Sequence, residues 1–392
     1  MKILCVTGTR ADYGIYRPLL CQLASDPYFD LKLVVTGMHL AKEFGRTLDE
    51  IGRDRLEVIA TPSILFRGDS TYAMSQSVGV AILYFADIFH FHQPDCLLLL
   101  GDRGEMLAAA IAAHYQNIAI AHLHGGERSG SADDLIRHCV TRLAHIHFVS
   151  CMEAKDLLKR MGEEEWRIVP VGSLRKTDIL STLQMPREQK RALRKKYRLD
   201  ARRKRLLLVM HPDSKDSVPF EKQIGEPLAA LKSFADCEII AIGSNSDAGG
   251  DLFRARIEQF VSERHHARYF ASVPHDDYLF LLSEADVLVG NSSSGIIEAP
   301  FFQLPFIHVG NRQKNRARGD NVIDVPFDAE AIRKAVQTVL NEGGRGNKKP
   351  LSNPYDLVAS PEREIATRLK QLPPRDILLD KSSFHFNRFN DR

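Results

Sequence analysis

Short apolar runs recur along this chain, each followed by Gly, Ser or Asp and then by a longer amphipathic stretch, and no other feature limits the fold as much. Residues 3–6, 31–35, 96–100, 118–121 and 146–149 read as strands, with helices near 15–23, 104–114 and 134–144. Strands that are apolar throughout are buried on both faces, and alternation with helices makes them parallel. The pattern pauses at 185–205, rich in Lys and Arg, and restarts with strands at 206–210, 238–242, 287–289 and 306–309. The reading is α/β with two Rossmann-like, doubly wound domains joined near 172–200.

A chain of 392 residues is long for a single core. The expected division is an N-terminal domain over 1–172 and a C-terminal domain over 173–372. The last helix of the second is a candidate to return to the first, and 373–392 reads as a loosely ordered tail. The stretch 187–205 reads as a solvated helical face without chemistry.

With 53 basic and 50 acidic residues the net charge is +3, which gives no reason to expect nucleic acid or an acidic membrane as partner. Six widely spaced cysteines, without a CxxC, argue against a disulfide framework or a zinc ribbon. The first apolar run is too short for a signal peptide, and no apolar run approaches 18 residues, so no membrane span is expected and a cytoplasmic location is the default.

Parallel sheets bind ligands at the carboxyl ends of their strands, and the loops there hold the chemistry. Asp102 closes an apolar strand, where a carboxylate is either partly buried and fit for proton transfer or paired with Arg103. His124 and Glu127 flank Gly125-Gly126, and Asp133 and Asp134 open the next helix as acid/base groups or as caps. Histidines 122, 124, 138, 145 and 147 invite a metal reading, but no HExxH or cysteine pair accompanies them, and none is expected. Gly290-Asn291-Ser292-Ser293-Ser294-Gly295 runs from a strand into a helix, as a phosphate site or a capped serine turn would. Arg312 begins a run of four cations after the following strand, suited to phosphate oxygens. Arg10, in Thr7-Gly8-Thr9-Arg10-Ala11-Asp12, either reaches a phosphate or pairs with Asp12. His211 follows a strand as a loop donor.

These segments, with Thr36-Gly37-Met38-His39, His122-Leu123-His124-Gly125-Gly126-Glu127, Ile136-Arg137-His138 and Gly243-Ser244-Asn245-Ser246-Asp247, resemble the hydrolysing UDP-N-acetylglucosamine 2-epimerases of sialic acid synthesis over roughly residues 1–370. The resemblance implies a GT-B-like fold with the active site in the interdomain cleft. It implies conversion of UDP-N-acetylglucosamine to UDP and N-acetylmannosamine through a 2-acetamidoglucal, without cofactor or metal, in a homodimer or homotetramer. Carried over by position, Arg10, Ser292, Ser293 and Arg312 are diphosphate contacts. Glu298 is the ribose acceptor, and His211, Asn245 and Asp247 line the nucleotide or sugar, with Ser294 in the same loop. Asp102 and Asp133 match acid/base positions, with His39, Arg137 and His138 nearby.

Two departures stand out. Several family members have glutamate where this chain has His124, which leaves the proton-transfer role with Glu127 or His124. Arg175-Lys176 sit in a loop that is usually smaller. Sister enzymes act on UDP-2,4-diacetamido-2,4,6-trideoxyglucose. A non-hydrolysing 2-epimerase, a GT-B glycosyltransferase and a nucleotide-sugar-binding module without turnover are the competing readings.

Overall fold

The structure, a computed structural model, describes residues 1–40, 48–66, 71–128, 133–243, 249–344 and 351–381. The chain forms two compact units. One is Met1–Leu174 together with the chain from Leu357 onward; the other is Arg175–Asp356.

The first unit holds β1 (Lys2–Thr7), β2 (Asp30–Val35), β3 (Val58–Ala60), β4 (Cys96–Leu100), β5 (Ala119–Leu123), β6 (Ile146–Val149) and β7 (Ile168–Pro170). They pair in parallel in the order β3-β2-β1-β4-β5-β6-β7. The two-residue side-chain period of a strand divides the core. Ile3 and Cys5 of β1 pack with helix Arg10–Ala24 and with Ile365, Ala366 and Leu369 of helix Pro361–Lys370. Leu4 and Val6 face the other way, against Phe85 and Phe89 of helix Thr71–His92 and the alanines of helix Gly104–Tyr115. Truncating either phenylalanine to Ala would cost about 3–5 kcal/mol.

The second unit holds β8 (Arg205–Val209), β9 (Glu238–Ile242), β10 (Ala267–Phe270), β11 (Val287–Gly290), β12 (Phe306–Val309) and β13 (Val322–Val325), parallel in the order β10-β9-β8-β11-β12-β13. Each sheet therefore reverses its winding once, between β1 and β4 in one and between β8 and β11 in the other. Crevices at such reversals, beyond the carboxyl ends of the strands, are where open α/β sheets hold ligands.

Three observations differ from the sequence reading. The segment expected as a loose tail is packed as far as Lys381. Helix Arg375–Leu379 brings its carbonyls to Arg167, which donates to Leu378 O at 2.8 Å and Asp380 O at 2.5 Å. Lys381 ion-pairs with the buried Glu163 at 2.8 Å. Within the stretch 187–205, helix Arg187–Lys196 has no buried residue, but Arg205 is buried and meets Glu238 at 2.8 Å. Among the described residues one helix, Tyr72–His92, is long and apolar enough by length and composition to cross a membrane. One side of it is core, as Ala81, Phe85 and Phe89 show, while Tyr72, Met74, Leu83 and Phe91 are exposed.

Candidate active site

Loops at the winding reversal of the first sheet come from β1, β4 and β5. After β1, Thr9 and Asp12 form a capping box on helix Arg10–Ala24: Thr9 Oγ1 accepts from Asp12 N, and Asp12 Oδ1 accepts from Thr9 N at 2.9 Å. The Asp12 carboxylate also accepts from Gly8 N, Tyr13 N and the Thr7 hydroxyl. Burial raises its pKa, and these amide donors partly offset the rise. Asp12 is thus committed to its own loop, and Arg10 is exposed on the first turn of the helix. His39, in the turn after β2, is buried and has Nε2 3.0 Å from Thr7 Oγ1 and 3.9 Å from Asp12 Oδ1.

Asp102 follows β4, and its partner is Arg137 of helix Asp133–Leu143, while Arg103 pairs with Glu105 at 2.6 Å. The same guanidinium donates from Nη1 to the carbonyl of His124 at 2.9 Å and lies 3.8 Å from Glu127 Oε2. Glu127 Oε1 faces His124 Nδ1 at 3.1 Å and accepts from the Ser150 hydroxyl at 2.6 Å. Asp102, His124, Glu127 and Arg137 therefore form one cluster. Asp133 begins the helix, but its side chain lies outside the described residues, and His138 is half-buried on the next turn position from Arg137.

The local backbone explains this convergence. His124 sits at φ +62°, a left-handed conformation that costs a non-glycine residue energy. Gly126 follows at φ +77°, and a Cβ there would come within 2.1 Å of Leu158 Cδ1, so only glycine lets the loop turn down against helix Met152–Arg160. Below the cluster, the buried His122 donates from Nε2 to Gly101 O at 2.8 Å and accepts at Nδ1 from the Thr141 hydroxyl. Burial pushes its pKa down to about 3, despite the favourable carbonyl of Gly101, so the ring is a neutral strut.

In the second unit β8 and β11 end side by side. Gly290 closes β11 at φ +148°, where a Cβ would lie 1.9 Å from Val209 O. Asn291 then clasps the backbone of His211: its Oδ1 accepts from His211 N and its Nδ2 donates to His211 O, both at 2.7 Å. His211 Nδ1 is buried without a hydrogen-bond partner among the described residues, and burial, with Arg312 nearby, lowers its pKa to about 4. Ser294 Oγ lies 2.9 Å from Ser292 Oγ and 2.5 Å from Tyr278 Oη. Ser293 precedes a helix of one turn only, Ser294–Ile297, so hydroxyls and cations rather than a helix dipole make this loop fit for an anion. Arg312 Nη1 and Gln313 Nε2 both donate to Asn291 O, at 3.4 and 3.2 Å, and so sit beside the serines. Glu298, one turn further, has Oε1 4.0 Å from Arg175 Nε, and Arg175 Nη1 lies 2.9 Å from His275 Nε2. Asn245 and Asp247 lie outside the described residues.

The doubly wound fold agrees with the comparison to known proteins. A sequence model of the UDP-N-acetylglucosamine 2-epimerase family matches residues 21–367. This chain belongs to that family. It is 38% identical to the UDP-N,N′-diacetylbacillosamine 2-epimerase (hydrolyzing) of Legionella pneumophila over 97% of this chain and 98% of that one. It is 36% identical to polysialic acid biosynthesis protein P7 of Escherichia coli over 90% of each. The UDP-N-acetylglucosamine 2-epimerase of Neisseria meningitidis is 32% identical over 87% of this chain and 88% of that one. A crystal structure of UDP-N-acetylglucosamine 2-epimerase from Neisseria meningitidis, bound to UDP-N-acetylglucosamine, has the same GT-B-like fold. Its TM-score is 0.81 at 18% identity, over 95% of this chain and all of that one.

Several residues of the two clusters were not singled out from the sequence. Ser150, at the polar end of an apolar strand, carried a readable signal. Tyr278 did not, because nothing in His275–Glu284 marks one tyrosine as facing the serine loop.

Proposed function

We propose that this protein is a hydrolysing 2-epimerase of a UDP-activated 2-acetamido sugar. The observation that carries the reading is the convergence of Asp102, His124 and Glu127 around Arg137 in the first unit, since removal and return of a proton at C2 need positioned acid/base groups. In the second unit Ser292, Ser293, Ser294 and Arg312 take the diphosphate, Glu298 the ribose hydroxyls, and His211 the nucleotide or sugar.

The reaction runs in two phases. A base takes the C2 proton, the C–H pair becomes the C1=C2 bond, and the C1–O pair leaves on the β-phosphate of UDP. Water then adds across the 2-acetamidoglucal, with oxygen at C1 and the proton at C2 on the face opposite the one it left. Inversion therefore calls for groups on both faces, and Asp102, Asp133, His124 and Glu127 are the set from which they come. Arg10 adds a further diphosphate contact, and His39 and Arg137 stand near the acid/base groups.

UDP-N-acetylglucosamine is the first substrate reading. UDP-2,4-diacetamido-2,4,6-trideoxyglucose is the second, favoured by the Legionella relative, whose name carries a diacetylated amino sugar. The test is proton NMR in deuterated water with each sugar nucleotide in turn. Free 2-epimer carrying deuterium at C2, with UDP, is the expected result. A UDP-linked epimer would move the protein to the non-hydrolysing class, and an unchanged spectrum with both would defeat the proposal.

A further inference from the structure

The His124 ring carries an observation that the proposed reaction has not used. Its Nε2 is buried and has no hydrogen-bond partner among the described residues, although burying a nitrogen of this kind unpaired costs about 1–3 kcal/mol. Its other nitrogen, Nδ1, lies 3.1 Å from Glu127 Oε1, so the carboxylate accepts Nδ1–H and leaves the lone pair on Nε2. The backbone of the residue is held at φ +62°, with its carbonyl bonded by Arg137, and the Glu127 contact at Nδ1 orients the ring. Glu127 is itself held, by the Ser150 hydroxyl at 2.6 Å and by Arg137 at 3.8 Å. Among the described residues, the charged and titratable groups beside His124 are Glu127 on its ring, Arg137 on its carbonyl and His122 of β5.

We infer that His124 and Glu127 work as a dyad, in which His124 Nε2 exchanges the proton at C2 and Glu127 is the positioning residue that sets its tautomer. The inference rests on the epimerase reading and says which of the two neighbours touches the sugar. In the elimination the C2–H bond breaks, its proton passes to Nε2, the bonding pair forms C1=C2, and the C1–O pair departs on the phosphate. The Nδ1–H to carboxylate bond then carries the positive charge of the imidazolium, as a buried carboxylate does wherever it orients a catalytic histidine.

The experiment compares wild type, His124→Gln, His124→Glu and Glu127→Gln by C2 deuterium incorporation and UDP release, with selective 15N labelling of histidine alongside. His124→Gln is expected to lose at least about 100-fold in kcat, and His124→Glu, which restores a proton-transferring group, to recover to within about tenfold of wild type. Glu127→Gln keeps an acceptor but removes the charge that favours imidazolium. The base then stays unprotonated to lower pH, so the acid limb of kcat/KM moves down by about one pH unit while kcat falls. The 15N spectrum is expected to show His124 protonated at Nδ1. Full deuterium exchange in His124→Gln, an unmoved acid limb in Glu127→Gln or an Nε2-protonated ring overturns the dyad alone. No exchange by wild type with either sugar nucleotide overturns the epimerase reading as well.

Discussion

Asp102 and Arg137 form an ion pair between the end of β4 and the helix that follows β5, and the same guanidinium holds the carbonyl of His124. One side chain thus ties the carboxylate at one strand end to the backbone at the next.

From this pairing follows the first expectation. Asp102→Asn removes the charge but leaves Arg137 with the His124 carbonyl and Glu127, so the melting temperature should stay within about 5 °C of wild type. Turnover should fall by at least about 100-fold. A UDP-release assay with thermal melts decides it, and unchanged turnover would take Asp102 out of the chemistry.

Arg312 is expected to serve affinity rather than proton transfer. Arg312→Ala should raise the Kd for UDP about tenfold, equivalent to about 1.4 kcal/mol. Calorimetry with UDP measures this directly, and an unaltered Kd would remove Arg312 from the phosphate site.

Acid should destabilise the fold through its buried histidines. Burial lowers His122 and His145 to about 3, while unfolded imidazoles titrate near 6.5. Between those values the unfolded chain binds more protons than the folded one, so stability falls as pH drops through the window and returns as pH rises. Each ring contributes at most about 1.4 kcal/mol per pH unit. In the fold His145 Nδ1 accepts from Ile120 N at 3.0 Å. His145→Gln keeps an acceptor without the titration and should flatten the dependence of melting temperature on pH from 6.5 to 4. A slope equal to wild type would contradict this.

The C-terminal anchor offers a stability test away from the site. Burial alone would raise Glu163, but His147 and Lys381 outweigh it and hold the carboxyl at about 2. Lys381→Met leaves Glu163 with Arg142 and His147 and should cost about 2 kcal/mol. A urea titration followed by circular dichroism reads the loss, and a midpoint equal to wild type would show that the anchor adds nothing.

Much of this architecture is legible in the chain because central parallel strands announce themselves. Residues 96–100 are apolar throughout and 146–149 are apolar but for His147, and both are strands over those bounds. Edge strands do not: β3 is apolar but only three residues long, and Asp324 interrupts β13. The site was legible as loops but not as pairs. Arg103 is the natural partner of Asp102 by proximity in sequence, whereas Arg137 reaches it only because β4 and β5 are neighbours in the sheet. Likewise, nothing in Arg375–Leu379 by composition foretells that its carbonyls meet Arg167.

The return of the chain at Leu357 also bears on synthesis. Helix Pro361–Lys370 completes a core begun by Ile3 and Cys5, and the whole of the second unit is translated in between. The chain of the second unit is therefore made in full before the last wall of the first, and the core where the sequence starts is the last for which all parts exist.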